Sequence, residues 1–273
     1  MSRALEGQIA VVTGASRGVG KGVALGLGEA GATVYVTGRS ISAEGPLPGT
    51  ISETAAEVSA LGGRGIAVAC DHAVDEQVRA LIERVRSETG RIDILVNNAF
   101  AIPEGRLAAP FWELPLSHWD TMHTVGLRSH YVSSVYAAPM MIAARHGTIV
   151  NVSSFGAKVY ALNVAYGVGK AGVDRMSRDM ARELRDYGVC AVSVWPGIVK
   201  TERLLLEPER YGFATAGAES PQLTGRAVAA LAADPNRMEK TGKALIVAEL
   251  AREYGFTDID GSLPASLRAP PTP

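Results

Sequence analysis

Ile9-Ala10-Val11-Val12-Thr13-Gly14-Ala15-Ser16-Arg17-Gly18-Val19-Gly20 decides how the chain reads. An apolar, β-branched run passes straight into a glycine-rich turn, and a helical stretch over 18–30 follows. Such a turn between a first strand and a first helix points backbone N–H groups and the positive helix end at a phosphate. Gly14 permits the tight turn, Gly18 lets backbone approach an anion, and Gly20 lets helix and strand pack closely. Gly14, Ser16, Arg17, Gly18, Val19 and Gly20 are therefore candidate pyrophosphate contacts. The spacing G-x-x-x-G-x-G is less common than G-x-G-x-x-G, and a tight turn without ligand is the bland alternative, so context must decide.

The context is a repeating one. Short, almost continuously apolar runs occur at Ile9–Thr13, Thr33–Thr37, Ile66–Cys70, Ile92–Val96, Thr148–Val152, Val189–Trp195 and Ala244–Val247. Continuous rather than alternating apolar runs suit parallel strands covered on both faces. Helical stretches lie between them, at 18–30, 51–61, 73–89, 117–144, 165–187 and 222–232. Thr50 and Glu53 have the spacing of a capping box for the second. This alternation predicts an α/β fold, a Rossmann-type doubly wound, mainly parallel seven-stranded sheet with helices on both faces. Residues 1–262 read as one domain. Residues 263–273, a Pro-rich tail, read as disordered.

The bulk properties exclude several classes. With 273 residues and 47% hydrophobic composition the chain can bury one sizeable core. A net charge of −1 without long single-sign runs argues against nucleic-acid binding and polybasic membrane contact. No apolar run reaches the roughly 18 residues of a membrane span, and the first residues carry no apolar signal region. The two cysteines, Cys70 and Cys190, fall in strand-like runs and read as reduced thiols of a cytoplasmic protein. No metal-ligand spacing occurs, so no metal is expected.

The second strand ends Val36-Thr37-Gly38-Arg39. A carboxylate there would suit the ribose hydroxyls of NAD(H). Gly38 and Arg39 stand in its place, and Arg17 lies in the phosphate turn. Two guanidinium groups suit a 2′-phosphate, so NADP(H) is expected over NAD(H).

Tyr166 and Lys170 lie four apart at the start of a predicted helix and share one face. A free phenol, with a pKa near 10, is a poor base at neutral pH. A nearby ammonium, with the charge of an oxidised nicotinamide, favours the phenolate and fits the pair for proton exchange with an alcohol or carbonyl. Upstream, Asn151-Val152-Ser153-Ser154 closes the fifth strand, where open parallel sheets present active groups. A serine hydroxyl there can bond a substrate oxygen beside Tyr166.

Taken in this order, the glycine turn, the serines and Tyr166/Lys170 resemble the short-chain dehydrogenase/reductase family. The likeness runs over about residues 5 to 247 and includes Asp71-His72, Asn97-Asn98-Ala99 and Trp195–Thr201. Its wording is similar to the branch called dehydrogenase/reductase member one. The resemblance implies Ser154, Tyr166 and Lys170 as catalytic residues. It implies Asp71, with His72, near the adenine and Asn98 near the adenosine ribose. Ile198 and Thr201 would hold the carboxamide end, and Lys170 the nicotinamide ribose. The chain departs from the family in three places. Gly126 stands where the family has a catalytic asparagine. The serine-to-tyrosine segment is one residue short, which leaves Ser153 as an alternative to Ser154. Ala248–Tyr254, read as a helix, replaces the usual glycine pair.

The expected activity is NADP(H)-dependent, reversible hydride transfer on a carbonyl or alcohol. The substrate pocket is expected from Phe100–Pro115, Glu202–Ser220 and the residues after Ser154, with Phe111, Trp112, Phe155 and Tyr160 as apolar lining. Gly126 invites the alternative of a non-catalytic, cofactor-binding sensor or interaction protein. A homodimer or homotetramer, joined through the helices at 117–144 and 165–187, is implied by the resemblance.

Overall fold

In the computed structural model, which describes residues 3–42, 47–211 and 217–268, all seven predicted strands form. They are β1 (Ile9–Val12), β2 (Thr33–Gly38), β3 (Arg64–Ala69), β4 (Ile94–Asn97), β5 (Gly147–Val152), β6 (Val189–Trp195) and β7 (Ala244–Ile246). They make one sheet in the order β3-β2-β1-β4-β5-β6-β7, and every pairing is parallel. The chain leaves β1 toward β2 on one side and later returns to β4 on the other. A crevice opens between the carboxyl ends of β1 and β4, the place where doubly wound sheets bind ligands.

Both faces are covered, which explains the continuous apolar runs. On one face, Ala10 and Val12 pack with α1 (Gly18–Glu29), α2 (Ile51–Ala60) and α9 (Pro221–Ala233). On the other, Val11 packs with α3 (Asp75–Thr89), α5 (Ser129–Ala144) and α6 (Val164–Leu184). α1 and α9 touch backbone to backbone. A Cβ on Gly22 would lie 2.0 Å from the Pro221 carbonyl oxygen, and one on Gly26 2.4 Å from the carbonyl carbon of Gly225. The Thr50/Glu53 capping box forms as the spacing predicts.

The stretch expected as one helix over 117–144 is interrupted. α4 (Leu116–His123) passes through a π-helical turn, Thr124–Arg128, into α5. π-turns are concentrated at functional sites, and this one carries Gly126. Two short helices follow β6, α7 (Glu202–Leu206) and α8 (Pro208–Tyr211), and α10 (Val247–Tyr254) follows β7 as expected. Part of the segment read as a disordered tail lies against α10. Arg252 donates to the Pro264 carbonyl at 2.8 Å, and Ser266 donates to Glu249 at 2.8 Å. Residues 269–273 lie outside the described residues. Cys70 and Cys190 are free and buried. Among the described residues, no helix is long and apolar enough to cross a membrane.

Candidate active site

A cleft of about 470 Å³ lies at the carboxyl ends of β1 and β4, within the range of small-molecule sites. Every residue singled out from the sequence as catalytic or cofactor-binding lines it, from Gly14 and Arg17 at one end to Ser154, Tyr166 and Thr201 at the other.

At the phosphate end, Gly14 takes φ +65°, and a Cβ there would meet the Ala99 Cα at 2.8 Å. Asn98 Nδ2 donates to the carbonyls of Thr13 and Gly14, both at 2.9 Å, and pins the turn to β4. α1 starts without a side-chain cap from Arg17. Its first amide, on Gly18, donates to Glu202 Oε2 at 2.8 Å across 184 residues. The two arginines differ. Arg17 is half engaged in structure, donating to the carbonyls of Pro48 (3.0 Å) and Gly49 (2.8 Å) and to Ser40 (3.1 Å). Arg39 is exposed at the rim, 3.9 Å from Asp71. His72 is buried, and its Nε2 lies 2.9 Å from the Thr37 hydroxyl. Burial drives its pKa down to about 4, so the imidazole is neutral.

At the other end, Tyr166 is delivered by α6. Asn163, the N-cap, accepts from the Tyr166 amide at 2.9 Å and donates to the Leu107 carbonyl at 2.9 Å. The residue before it, Leu162, sits in the left-handed region at φ 59° and lines the cleft. The Tyr166 hydroxyl donates to Ser154 Oγ at 2.9 Å, and Ser154 Oγ also accepts from the Gly156 amide at 3.1 Å. Ser153 points elsewhere, donating to the Lys170 carbonyl at 3.1 Å. The short serine-to-tyrosine segment therefore leaves Ser154, not Ser153, in contact with the phenol.

Lys170 is buried and donates to the Val152 carbonyl at 3.1 Å, with its Nζ 5.8 Å from the Tyr166 ring centroid. Burial pushes the ammonium pKa down to about 8, against the opposing charge of Asp174. Asp174 in turn accepts from the Trp195 indole at 3.0 and 3.1 Å. Burial also raises the Tyr166 phenol above its ordinary value, and the Ser154 bond offsets this in part. In the protein alone, desolvation thus sets the direction of the Tyr166 shift, opposite to the lowering expected from the lysine.

Several site residues escaped the sequence reading. Asn163 is one, although Asn three positions before Tyr166 has the spacing of an N-cap. Glu219 is another. Its carboxylate accepts from the Gly197 amide at 3.0 Å, while its backbone donates to Ile198 O (2.8 Å) and accepts from Lys200 (2.9 Å). It fastens the strip that contains Ile198 to the body of the protein. Glu219 is buried, and burial raises its pKa to about 7. The apolar wall also differs in part. Phe155 lines the cleft with Phe100, Ile102, Leu107, Met122 and Leu204. Phe111, Trp112 and Tyr160, expected there, are exposed and outside it. Residues 212–216 of the expected pocket lie outside the described residues.

The comparisons with known proteins agree with this geometry. The short chain dehydrogenase family model matches residues 8–209. Dehydrogenase/reductase SDR family member 1 of Mus musculus is 46% identical over 274 residues, spanning 94% of this chain and 85% of that protein. The crystal structure of a short-chain type dehydrogenase/reductase from Mycobacterium marinum superposes with a TM-score of 0.77 at 27% identity, covering 89% of this chain and 94% of that one. A metagenomic short-chain oxidoreductase in complex with NADP gives 0.70 at 32% identity, covering 86% and 94%. With the seven-stranded parallel sheet and the residues of its cleft, these matches establish that the chain belongs to the short-chain dehydrogenase/reductase family.

Proposed function

We propose that this protein is an NADP(H)-dependent oxidoreductase that interconverts a carbonyl and the matching alcohol, with Tyr166 as general acid/base. The reading is carried by the 2.9 Å hydrogen bond from the Tyr166 hydroxyl to Ser154, made in the cleft that also holds the glycine turn and Lys170.

The residues present fit the dinucleotide. The α1 N-terminus opens on the cleft and favours an anion, a preference its Gly18 amide already meets with the Glu202 carboxylate at 2.8 Å. Gly38 leaves no carboxylate at the end of β2, and the exposed Arg39, which pairs with Asp71 at 3.9 Å, would turn toward a 2′-phosphate. The family relative described above that was solved with NADP lends support. Ile198 and Thr201 would hold the carboxamide end, on the strip fastened by Glu219.

The bound nicotinamide supplies or takes up hydride. In reduction, the Tyr166 phenol gives its proton to the substrate oxygen; in oxidation it receives the proton. Ser154 bonds that oxygen and holds it against the phenol. With cofactor bound, the Lys170 ammonium would favour the phenolate and contact the nicotinamide ribose. The wall of Phe100, Ile102, Leu107, Met122, Phe155 and Leu204 suits a medium-sized apolar ketone or aldehyde.

The test is NADPH binding by fluorescence, followed by NADPH consumption across a panel of apolar carbonyls. Turnover in the wild type that is lost in Tyr166→Phe, with NADPH still bound, supports the proposal. Tight NADPH binding without turnover of any panel member would mark a cofactor sensor instead.

A further inference from the structure

Phe100 follows Asn98-Ala99 at the end of β4, and its ring lies against Gly126 in the π-turn. A Cβ on residue 126 would stand 2.3 Å from Phe100 Cδ2 and 2.6 Å from Cε2. The ring can occupy this place only because residue 126 has no side chain. From there it meets both members of the reacting pair. Its centroid is 6.0 Å from that of Tyr166, with the rings at 87°, and 4.9 Å from Lys170 Nζ.

That placement answers an electrostatic problem. The Lys170 ammonium is buried and has three donors, of which one goes to the Val152 carbonyl. A buried cation needs compensation, and an aromatic face within about 6 Å supplies negative potential. The other groups facing the ammonium are few. Tyr166 and Asp174 lie one turn away on α6. His130 on α5 is neutral, because burial and the Lys170 charge drive its pKa to about 3.

We propose that Phe100 is a positioning residue of this active site: its ring seats the Lys170 ammonium and buttresses Tyr166, and Gly126 is the residue that admits it. The proposal rests on the reading of Tyr166 and Lys170 as a reacting pair.

Ring fluorination tests it with little change of shape. Phe100 is replaced by 3,4,5-trifluorophenylalanine in the full chain, with and without NADPH, and the Lys170 side chain is titrated through its ¹³Cε resonance. Stripping negative potential from the ring should move the Lys170 midpoint down by about half to one pH unit. Phe100→Leu should move it in the same direction. Gly126→Ala, which drives the ring away, should do likewise. A trifluorophenylalanine midpoint equal to the wild type overturns the electrostatic role and leaves the ring as filler. An unchanged midpoint in folded Gly126→Ala overturns the part assigned to Gly126. The resonance reports the amine without turnover, so absence of carbonyl reduction would sink the oxidoreductase reading and leave this result standing.

Discussion

Ser154 Oγ, not Ser153 Oγ, receives the Tyr166 hydroxyl, at 2.9 Å, while its neighbour is turned to the carbonyl of Lys170. Adjacent residues of an extended chain point to opposite sides; both serines line the cleft, but only the Ser154 hydroxyl meets the phenol. Ser154→Ala is expected to lower kcat about 100-fold with NADPH affinity kept, as for loss of one donor to a developing charge. Ser153→Ala should keep kcat within a few-fold and lower stability by about 1 kcal/mol. Steady-state kinetics with thermal unfolding of both variants checks the assignment, and reversed results would return the role to Ser153.

The two arginines should separate in cofactor binding. Arg39 is exposed at the rim, with an ion pair to Asp71 at 3.9 Å, so Arg39→Ala should weaken NADPH about 10- to 100-fold, the worth of a charge-assisted bond, and leave NADH almost unchanged. Arg17 holds the carbonyls of Pro48 and Gly49. Arg17→Ala should therefore weaken both cofactors together. Fluorescence titration with NADPH and NADH distinguishes the two patterns.

Glu219 predicts a pH dependence of stability. Its pKa in the folded protein is raised to about 7, against an ordinary value of 4.5. The folded state therefore holds this proton more tightly than the unfolded state. The associated stability is fully present below pH 4.5 and is lost as pH rises through 7. Glu219→Gln keeps an acceptor for Gly197 without a titrating charge. It should match the wild type at pH 4 and be more stable at pH 8, by on the order of 3 kcal/mol at most. Urea unfolding of both proteins across this range reads the difference. Parallel curves would show that Glu219 does not titrate in this interval.

The contact of α1 with α9 is a place where a small change should act far from its site. Gly26→Ala puts a methyl into the backbone of Gly225, at 2.4 Å from its carbonyl carbon. Overpacking of this kind costs about 1–3 kcal/mol. Because α1 begins at the phosphate turn, NADPH affinity should fall together with the unfolding midpoint. An unchanged midpoint would show that α9 moves aside without penalty.

Much of this was legible locally. The apolar runs gave the strands because a sheet covered on both faces demands them, and the glycine turn marked the phosphate end because only small residues allow backbone to approach so closely. Tyr166 and Lys170 share a helix face by spacing alone. The π-turn, by contrast, leaves no periodic mark over five residues. The exposure of Phe111, Trp112 and Tyr160 depends on which way their loops turn, which aromatic composition does not report.

The sequence by itself determined the order of strands and helices, the turn at the first of them, and the i, i+4 register of phenol and amine. These follow from backbone geometry over a few residues. Only the tertiary structure decided what surrounds them. It brought Glu202 to the Gly18 amide, Glu219 to the Gly197 amide and the Phe100 ring over Gly126. It also buried Lys170, and Tyr166 in part, so that desolvation shifts both. Contacts between distant segments, and the dielectric they create, arise from packing and have no local signature in the chain.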